Sequence, residues 1–355
     1  MKDRVRELVG RLRRVDRGLG VGGAVLKARL RGHPVMLSHL VTGRCDACCA
    51  TCLWRDPGGP ELDMLEAAWL YREAAAMGIT QLVAWGGEPL LRADLPELLG
   101  TAKDAGLAVV LITNGWLLPE RWPELAGNVD ALILSLDDVG EAHDRLRGLP
   151  GLFARLDEFA SDLRHGSPRP RLLVNTVLSS LNRGALRRVA PIAQRWGAGL
   201  YFCPMETGQM RASGFTPLND DISLRPAELR DAARLVRILK RAGFPLMATD
   251  RYLDLLERDP ALTGYSCRAP RAILTVQADG TVRDCLRRDV PLADATAIRA
   301  RGGHLSEVFG SPRYRQMLED AGTCTACNNP DVLETSWLWD LEFQMLGRAG
   351  RLLLG

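Results

Sequence analysis

The chain has 355 residues, 46% hydrophobic and 25% charged, with nine cysteines and a net charge of +3. That length and apolar content fit one large catalytic domain with a smaller appendage and exclude a disordered chain. Nine cysteines without a signal-like apolar run exclude a secreted disulfide framework and favour thiols used as metal ligands in a reduced, cytoplasmic setting. No stretch reaches the ~18 to 20 consecutive apolar residues of a membrane span, and no nucleic-acid partner is expected.

Residues 1–34 carry ten Lys/Arg against three Asp/Glu, a local +7, so the remainder sums to −4. Val5, Leu8, Val9 and Leu12 recur at helical spacing while Arg4, Arg6, Arg11, Arg13 and Arg14 fill the other faces, the pattern of a basic amphipathic helix. Such a helix either packs its narrow apolar stripe on the domain or rests on anionic lipid as a peripheral membrane contact. From residue 35 to 245, strand-like apolar runs alternate with helix-length amphipathic segments. The predicted strands are 35–41, 79–85, 107–112, 131–136, 172–178 and 200–202. Continuous apolar strands of this kind are buried on both faces, as in a parallel sheet covered by helices. The expected fold is therefore α/β, a partial (β/α)6 parallel barrel, with its chemistry on the loops that follow the strands.

Those loops are where polar and cysteine residues collect: Thr42-Gly-Arg-Cys45 after the first strand, Gly86-Gly87-Glu88-Pro89 after the second, and Thr113-Asn114-Gly115 after the third. Ser135-Leu-Asp137 follows the fourth, and Cys203-Pro-Met-Glu206 follows the sixth. Cys45, Cys49 and Cys52 stand at C-x3-C-x2-C spacing. Three thiolates on an iron-sulfur cluster leave one iron with open positions, which lets a small molecule bind the cluster directly. Tetrahedral zinc would need a fourth ligand that the neighbouring sequence does not offer. Cys48 falls outside the spacing and is read as a buried, non-ligating thiol.

This trio and its position resemble the radical S-adenosylmethionine (SAM) superfamily. The resemblance implies a [4Fe-4S] cluster whose unique iron chelates the cosubstrate, and cleavage of that cosubstrate to methionine and a 5′-deoxyadenosyl radical. Gly86-Gly87-Glu88-Pro89 is similar to the family's GGEP motif, implying contact with the methionine amino group. The stretch from Ser135 and Asp137 to Arg147-Gly148 resembles a motif of the maturase and dehydrogenase branch, implying that Ser135 meets ribose or carboxylate and Arg147 the carboxylate. Asp138 stands where that motif usually has Gly. Asn114 and Asn175 occupy strand ends that line the cosubstrate site in many members, and Glu206 is a candidate base.

Cys267, Cys285, Cys324 and Cys327 form a C-x17-C…C-x2-C set, the first two flanking a hairpin predicted at 273–282. The set resembles a twitch or SPASM-like domain with one auxiliary [4Fe-4S] cluster, and four thiolates also suit a structural zinc. The expected organisation is a basic segment (1–34), the barrel (35–245), a small α+β auxiliary domain (246–335) and an apolar C-terminal helix (336–355). Trp337 and Trp339 in that last segment, with the basic leader, suit either a membrane interface or a helix docked on the barrel. The resemblance implies hydrogen abstraction with a reducing donor such as flavodoxin or ferredoxin. A single auxiliary cluster fits a small-molecule substrate, and the basic leader with the apolar C-terminal segment a lipid, in a biosynthetic oxidation or coupling. Peptide maturases of the family often carry a leader-binding segment, and only 44 residues precede Cys45, so a peptide-modifying maturase is the alternative. A non-enzymatic iron-sulfur scaffold or redox sensor is the reading from another class.

Overall fold

The computed structural model describes residues 22–52, 59–164, 169–205, 220–259, 265–285, 290–322, 324 and 327–342. The leader up to residue 21, Glu206 and the apolar tail from residue 343 lie outside them, and with them the readings placed there. A first helix, α1 (22–31), precedes six strand-and-helix units. These are β1 (Met36–Thr42) and α2 (Met64–Met77), β2 (Gln81–Gly86) and α3 (Leu95–Asp104), β3 (Ala108–Thr113) and α4 (Leu118–Leu125). Then come β4 (Ala131–Ser135) with α5 (Glu141–Arg147) and α6 (Leu152–Leu163), β5 (Arg171–Leu178) with α7 (Ala185–Trp196), and β6 (Gly199–Pro204) with α8 (Pro226–Arg241). Strands β1 to β6 pair in chain order, every pair parallel. The parallel α/β barrel expected from the alternating pattern is the observed architecture.

The strands bury one face against the helices and leave the other partly open. Leu37, Leu82, Leu111, Leu134, Val174 and Phe202 join helix residues such as Leu70, Leu98, Leu156 and Val189 in one buried core. Their alternate neighbours Trp85, Ile112, Ser135, Asn175 and Cys203 are only half-buried. Successive strand side chains point to opposite faces, so these residues look into the barrel interior. Trp85 Nε1 donates to Ser38 Oγ across that interior face at 2.9 Å.

After α9 (Asp250–Arg258) and α10 (Ala269–Ala272), β7 (Ile273–Val276) and β8 (Thr281–Arg283) form the predicted hairpin, with Gly280 closing its turn onto the Gln277 carbonyl. The hairpin is not a separate sheet. β7 lies parallel to β1, Met36 opposite Ile273, and β9 (Pro291–Asp294) adds antiparallel to β8, giving a continuous nine-stranded sheet. The chain then runs through α11 (Ala295–Ala300), α12 (Glu307–Gly310) and α13 (Pro312–Gly322) to α14 (Pro330–Trp339). The tryptophans, which by sequence suit either a membrane interface or a docked helix, are buried: Trp337 in the main core beneath the Arg251 guanidinium, and Trp339 in a small core with Val25, Ala28, Val35 and Ala272. Helix α14 is clasped by α1, where Arg29 donates to the Trp339 carbonyl at 2.9 Å and Val25 and Ala28 pack with the Trp339 side chain.

Candidate active site

The loop leaving β1 carries the first cysteines: Cys45 is exposed, Cys52 half-buried and Cys49 buried. Cys48, expected to be buried, is exposed, because its backbone is the side of the loop that is anchored. Its amide donates to the Arg147 carbonyl at 3.0 Å, and Ala50 N donates to Leu146 O at 2.9 Å. Gly148 makes this approach feasible. It has φ +67°, and a Cβ there would stand 3.0 Å from the Cys48 carbonyl oxygen.

On the other flank the loop lies against the β2 turn. Gly87 N donates to Thr42 O at 2.8 Å and Glu88 N to Arg44 O at 2.7 Å. A Cβ on Gly86 would fall 2.2 Å from Thr42 O, and one on Gly87 2.2 Å from Arg44 O. The paired glycines thus admit the cysteine loop's own backbone, a structural demand that a cofactor-centred reading of the motif does not supply. Asn114 Nδ2 ties the loop to β3 by donating to Asp46 Oδ1 at 2.8 Å. Sequence motifs separated by up to a hundred residues therefore meet on one rim.

Glu88 is fully buried. One carboxylate oxygen accepts from Thr113 Oγ1 (2.7 Å) and Leu90 N (3.0 Å), the other from Asn114 N (2.7 Å). Burial raises its pKa to about 7, with the Asp46 charge adding to the rise and the three donors opposing it. It pins the ends of β2 and β3 together, with Pro89 opening the short turn that Glu88 caps.

Ser135 and Asn175 are direct register partners on β4 and β5, both half-buried on the interior face. Asp137, one step further along, is buried. Its Oδ1 accepts from Val177 N at 2.9 Å, and its Oδ2 lies 2.8 Å from Arg147 Nε, an ion pair rather than an aligned hydrogen bond. Arg147 in turn sends Nη1 to within 3.8 Å of Cys49 Sγ. Burial works against the Arg147 charge, but Asp137 and the Cys49 sulfur more than offset it and hold the guanidinium protonated. His143 accepts from Asp137 N at 3.2 Å, and burial followed by the nearby Arg147 charge lowers its pKa to about 3, so it is neutral. Asp138 is buried against Arg188 in a two-pronged pair at 2.7 and 2.6 Å.

Three organising residues carry no sequence signal of their own. Buried Arg92 donates to Val41 O and Leu62 O, both at 3.0 Å, and pairs with Asp94, fixing the exit of β1. Glu61 accepts from Thr42 Oγ1 and Arg44 Nε. Asn182 donates to Asp137 O at 2.7 Å. Only a chain already folded places these partners together.

In the second group, the Tyr265 hydroxyl accepts from Cys327 N at 2.8 Å. Burial, then the charges of Cys327, Cys267 and Cys324, push its phenol well above the usual range. Cys285 follows β8, its amide bonded to Asp284 Oδ1 at 2.7 Å. The loop after Cys327 is tied to the barrel rim: Asn328 Nδ2 donates to Met205 O at 3.0 Å, and Tyr252 Oη to Asn328 O at 2.7 Å.

Among the described residues, no three His, Cys, Asp or Glu side chains are gathered as ligands of one metal ion. The first trio offers three soft sulfur donors on one loop, the donor type that an iron-sulfur cluster takes, with a guanidinium beside one sulfur and a backbone clamped from both sides.

The sequence profile of the Radical SAM superfamily matches residues 40–178. The PqqA peptide cyclase of Gluconobacter oxydans is 34% identical over 319 residues, 86% of this chain and 84% of that protein. The PqqA peptide cyclase of Ruegeria pomeroyi is 31% identical over 265 residues, 71% and 67% of the two chains. The AdoMet-dependent heme synthase of Methanosarcina barkeri is 35% identical over 175 residues, 47% and 49%. The chain spans about half the length of several curated relatives it matches. Streptococcus suis SuiB bound to S-adenosylmethionine has a TM-score of 0.65 at 15% identity, covering 84% of this chain and 72% of that one. The anSMEcpe structure with bound AdoMet and Cp18Cys peptide has a TM-score of 0.63 at 16% identity, covering 90% and 98%. At such identities the likeness is one of fold.

Proposed function

Because the chain belongs to the radical SAM superfamily and is an enzyme using a [4Fe-4S] cluster and S-adenosylmethionine, we propose that it modifies a peptide. The observation that carries this reading is the 34% identity over 319 residues with a PqqA peptide cyclase. A match of that length extends well beyond residues 40–178, which the superfamily profile covers. It favours a peptide over the small-molecule or lipid substrate expected from the sequence. Burial of Trp337 and Trp339 also removes part of the argument for lipid.

In this reading Cys45, Cys49 and Cys52 hold the cluster. When bound, cluster and cosubstrate together supply a 5′-deoxyadenosyl radical by one-electron cleavage of the sulfur–C5′ bond. Gly86, Gly87, Glu88 and Pro89 set the rim, Asn114 fixes the cysteine loop through Asp46, and Ser135 and Asn175 offer polar groups to the cosubstrate from the half-open interior. Ile112 and Trp85 add apolar surface to that interior. Glu206 is assigned as a base. Residues 35–245 form the catalytic unit, and 246–335 hold an auxiliary [4Fe-4S] cluster on Cys267, Cys285, Cys324 and Cys327. The Asn328–Met205 bond sets that unit against the exit of β6, a position suited to taking an electron from a substrate radical. A flavodoxin or ferredoxin is the proposed donor for initiation.

The test is anaerobic turnover with dithionite, S-adenosylmethionine and a panel of synthetic peptides bearing deuterated side chains. Deuterium appearing in 5′-deoxyadenosine with one peptide is the expected result. Transfer from a non-peptide substrate alone would return the reading to small molecules.

A further inference from the structure

Arg147 touches the cysteine loop twice, through its carbonyl to Cys48 N and through Nη1 to Cys49 Sγ at 3.8 Å. Its guanidinium cannot swing away, because Nε is paired with Asp137 at 2.8 Å and the side chain is only 12% exposed. Asp137 is itself fixed by Val177 N on its carboxylate and by Asn182 on its carbonyl. Among the described residues, the other charged or titratable groups near this corner are neutral His143 and, along the cysteine loop, Asp46 and Glu88. A rigid cation at a buried sulfur is therefore built into the fold.

We propose that Arg147 is a positioning residue for the cluster itself, raising its reduction potential through the Cys49 sulfur, and that Asp137 holds it there and partly offsets its charge. The proposal rests on Cys45, Cys49 and Cys52 being the ligands. It differs from the carboxylate-binding role that the family resemblance implies for Arg147. The physical basis is simple. Reduction adds one electron, drawn from an external reductant such as dithionite, to the cluster and its thiolates. A nearby cation stabilises that extra negative charge, more so away from water. Hydrogen bonds to the sulfurs shift cluster potentials in the same sense.

The experiment compares reconstituted wild type, Arg147→Gln and Asp137→Asn in a redox titration followed by electron paramagnetic resonance. The relevant cluster is identified as the one whose signal changes on adding S-adenosylmethionine, and iron content and cosubstrate affinity are measured alongside. Arg147→Gln should lower the midpoint by about a tenfold loss in the reduction equilibrium, ~59 mV for one electron. Asp137→Asn, whose amide oxygen can still accept from Val177 N, should raise it. Opposite signs from two neighbouring substitutions are not what general damage produces. Unchanged midpoints with weakened cosubstrate binding would overturn the proposal and return Arg147 to the carboxylate. If Arg147→Gln fails to hold iron, Arg147→Lys decides: a shorter cation that no longer reaches Cys49 Sγ should lower the midpoint by a smaller step, and an unchanged midpoint would refute the proposal. Should wild type assemble no cluster on the trio, the assignment of ligands fails rather than this inference.

Discussion

Glu88 shows at the scale of one residue how burial couples to function. Its carboxyl titrates at about 7 in the folded chain against an ordinary 4.5, so the folded state keeps a proton that the unfolded state releases. Stability present below about pH 4.5 is therefore lost as pH rises through 7. Urea unfolding at pH 5 and pH 8 should show wild type losing stability relative to Glu88→Gln, and the opposite slope would contradict the assignment. Gly148 gives a second test. Gly148→Ala puts a side chain at φ +67° and against Cys48, which should cost about 1 to 3 kcal/mol and reduce iron loading on reconstitution. The cysteine spacing and the glycine pair were legible in the sequence because short motifs hold their own chemistry. The exposure of Cys48 and the role of Arg92 were not, because each depends on partners distant in the chain: Arg147 for the one, Val41 and Leu62 for the other.

Among the elements, the six βα units could be read from continuous apolar strands flanked by amphipathic helices, since both periodicities are local. The parallel pairing of β7 with β1 could not. Met36 and Ile273 are far apart in sequence, and nothing in a four-residue apolar strand names its partner. Helix α14 (Pro330–Trp339) likewise overlaps what reads as an apolar C-terminal helix from residue 336, and its burial against α1 and the core depends on partners distant in the chain. Truncating Trp337, which is 4% exposed, should destabilise the fold by about 3 to 5 kcal/mol, measured by urea denaturation of Trp337→Ala. A loss below about 1 kcal/mol, accompanied by loss of vesicle co-sedimentation, would place the indole at a lipid surface instead.

In the whole molecule, one sheet carries the loop of Cys45, Cys49 and Cys52 after β1 and Cys285 after β8, while Cys267, Cys324 and Cys327 lie on helix-flanking loops. The first group sits on the rim of β1 to β4, and the second group is bound to the exit of β6 and to the hairpin that runs on from β1. Because the sheet is continuous, the loop that follows β1 and the hairpin β7–β8 belong to one framework. The central claim is radical initiation at Cys45, Cys49 and Cys52, and the measurement that tests it most directly is anaerobic reconstitution followed by dithionite-driven cleavage of S-adenosylmethionine. Wild type should bind about eight irons, four per cluster, and release 5′-deoxyadenosine, whereas Cys45→Ala, Cys49→Ala and Cys52→Ala should each release none. Cleavage that survives loss of any of the three thiols, or a reduced wild-type cluster that neither binds nor cleaves the cosubstrate, would contradict it.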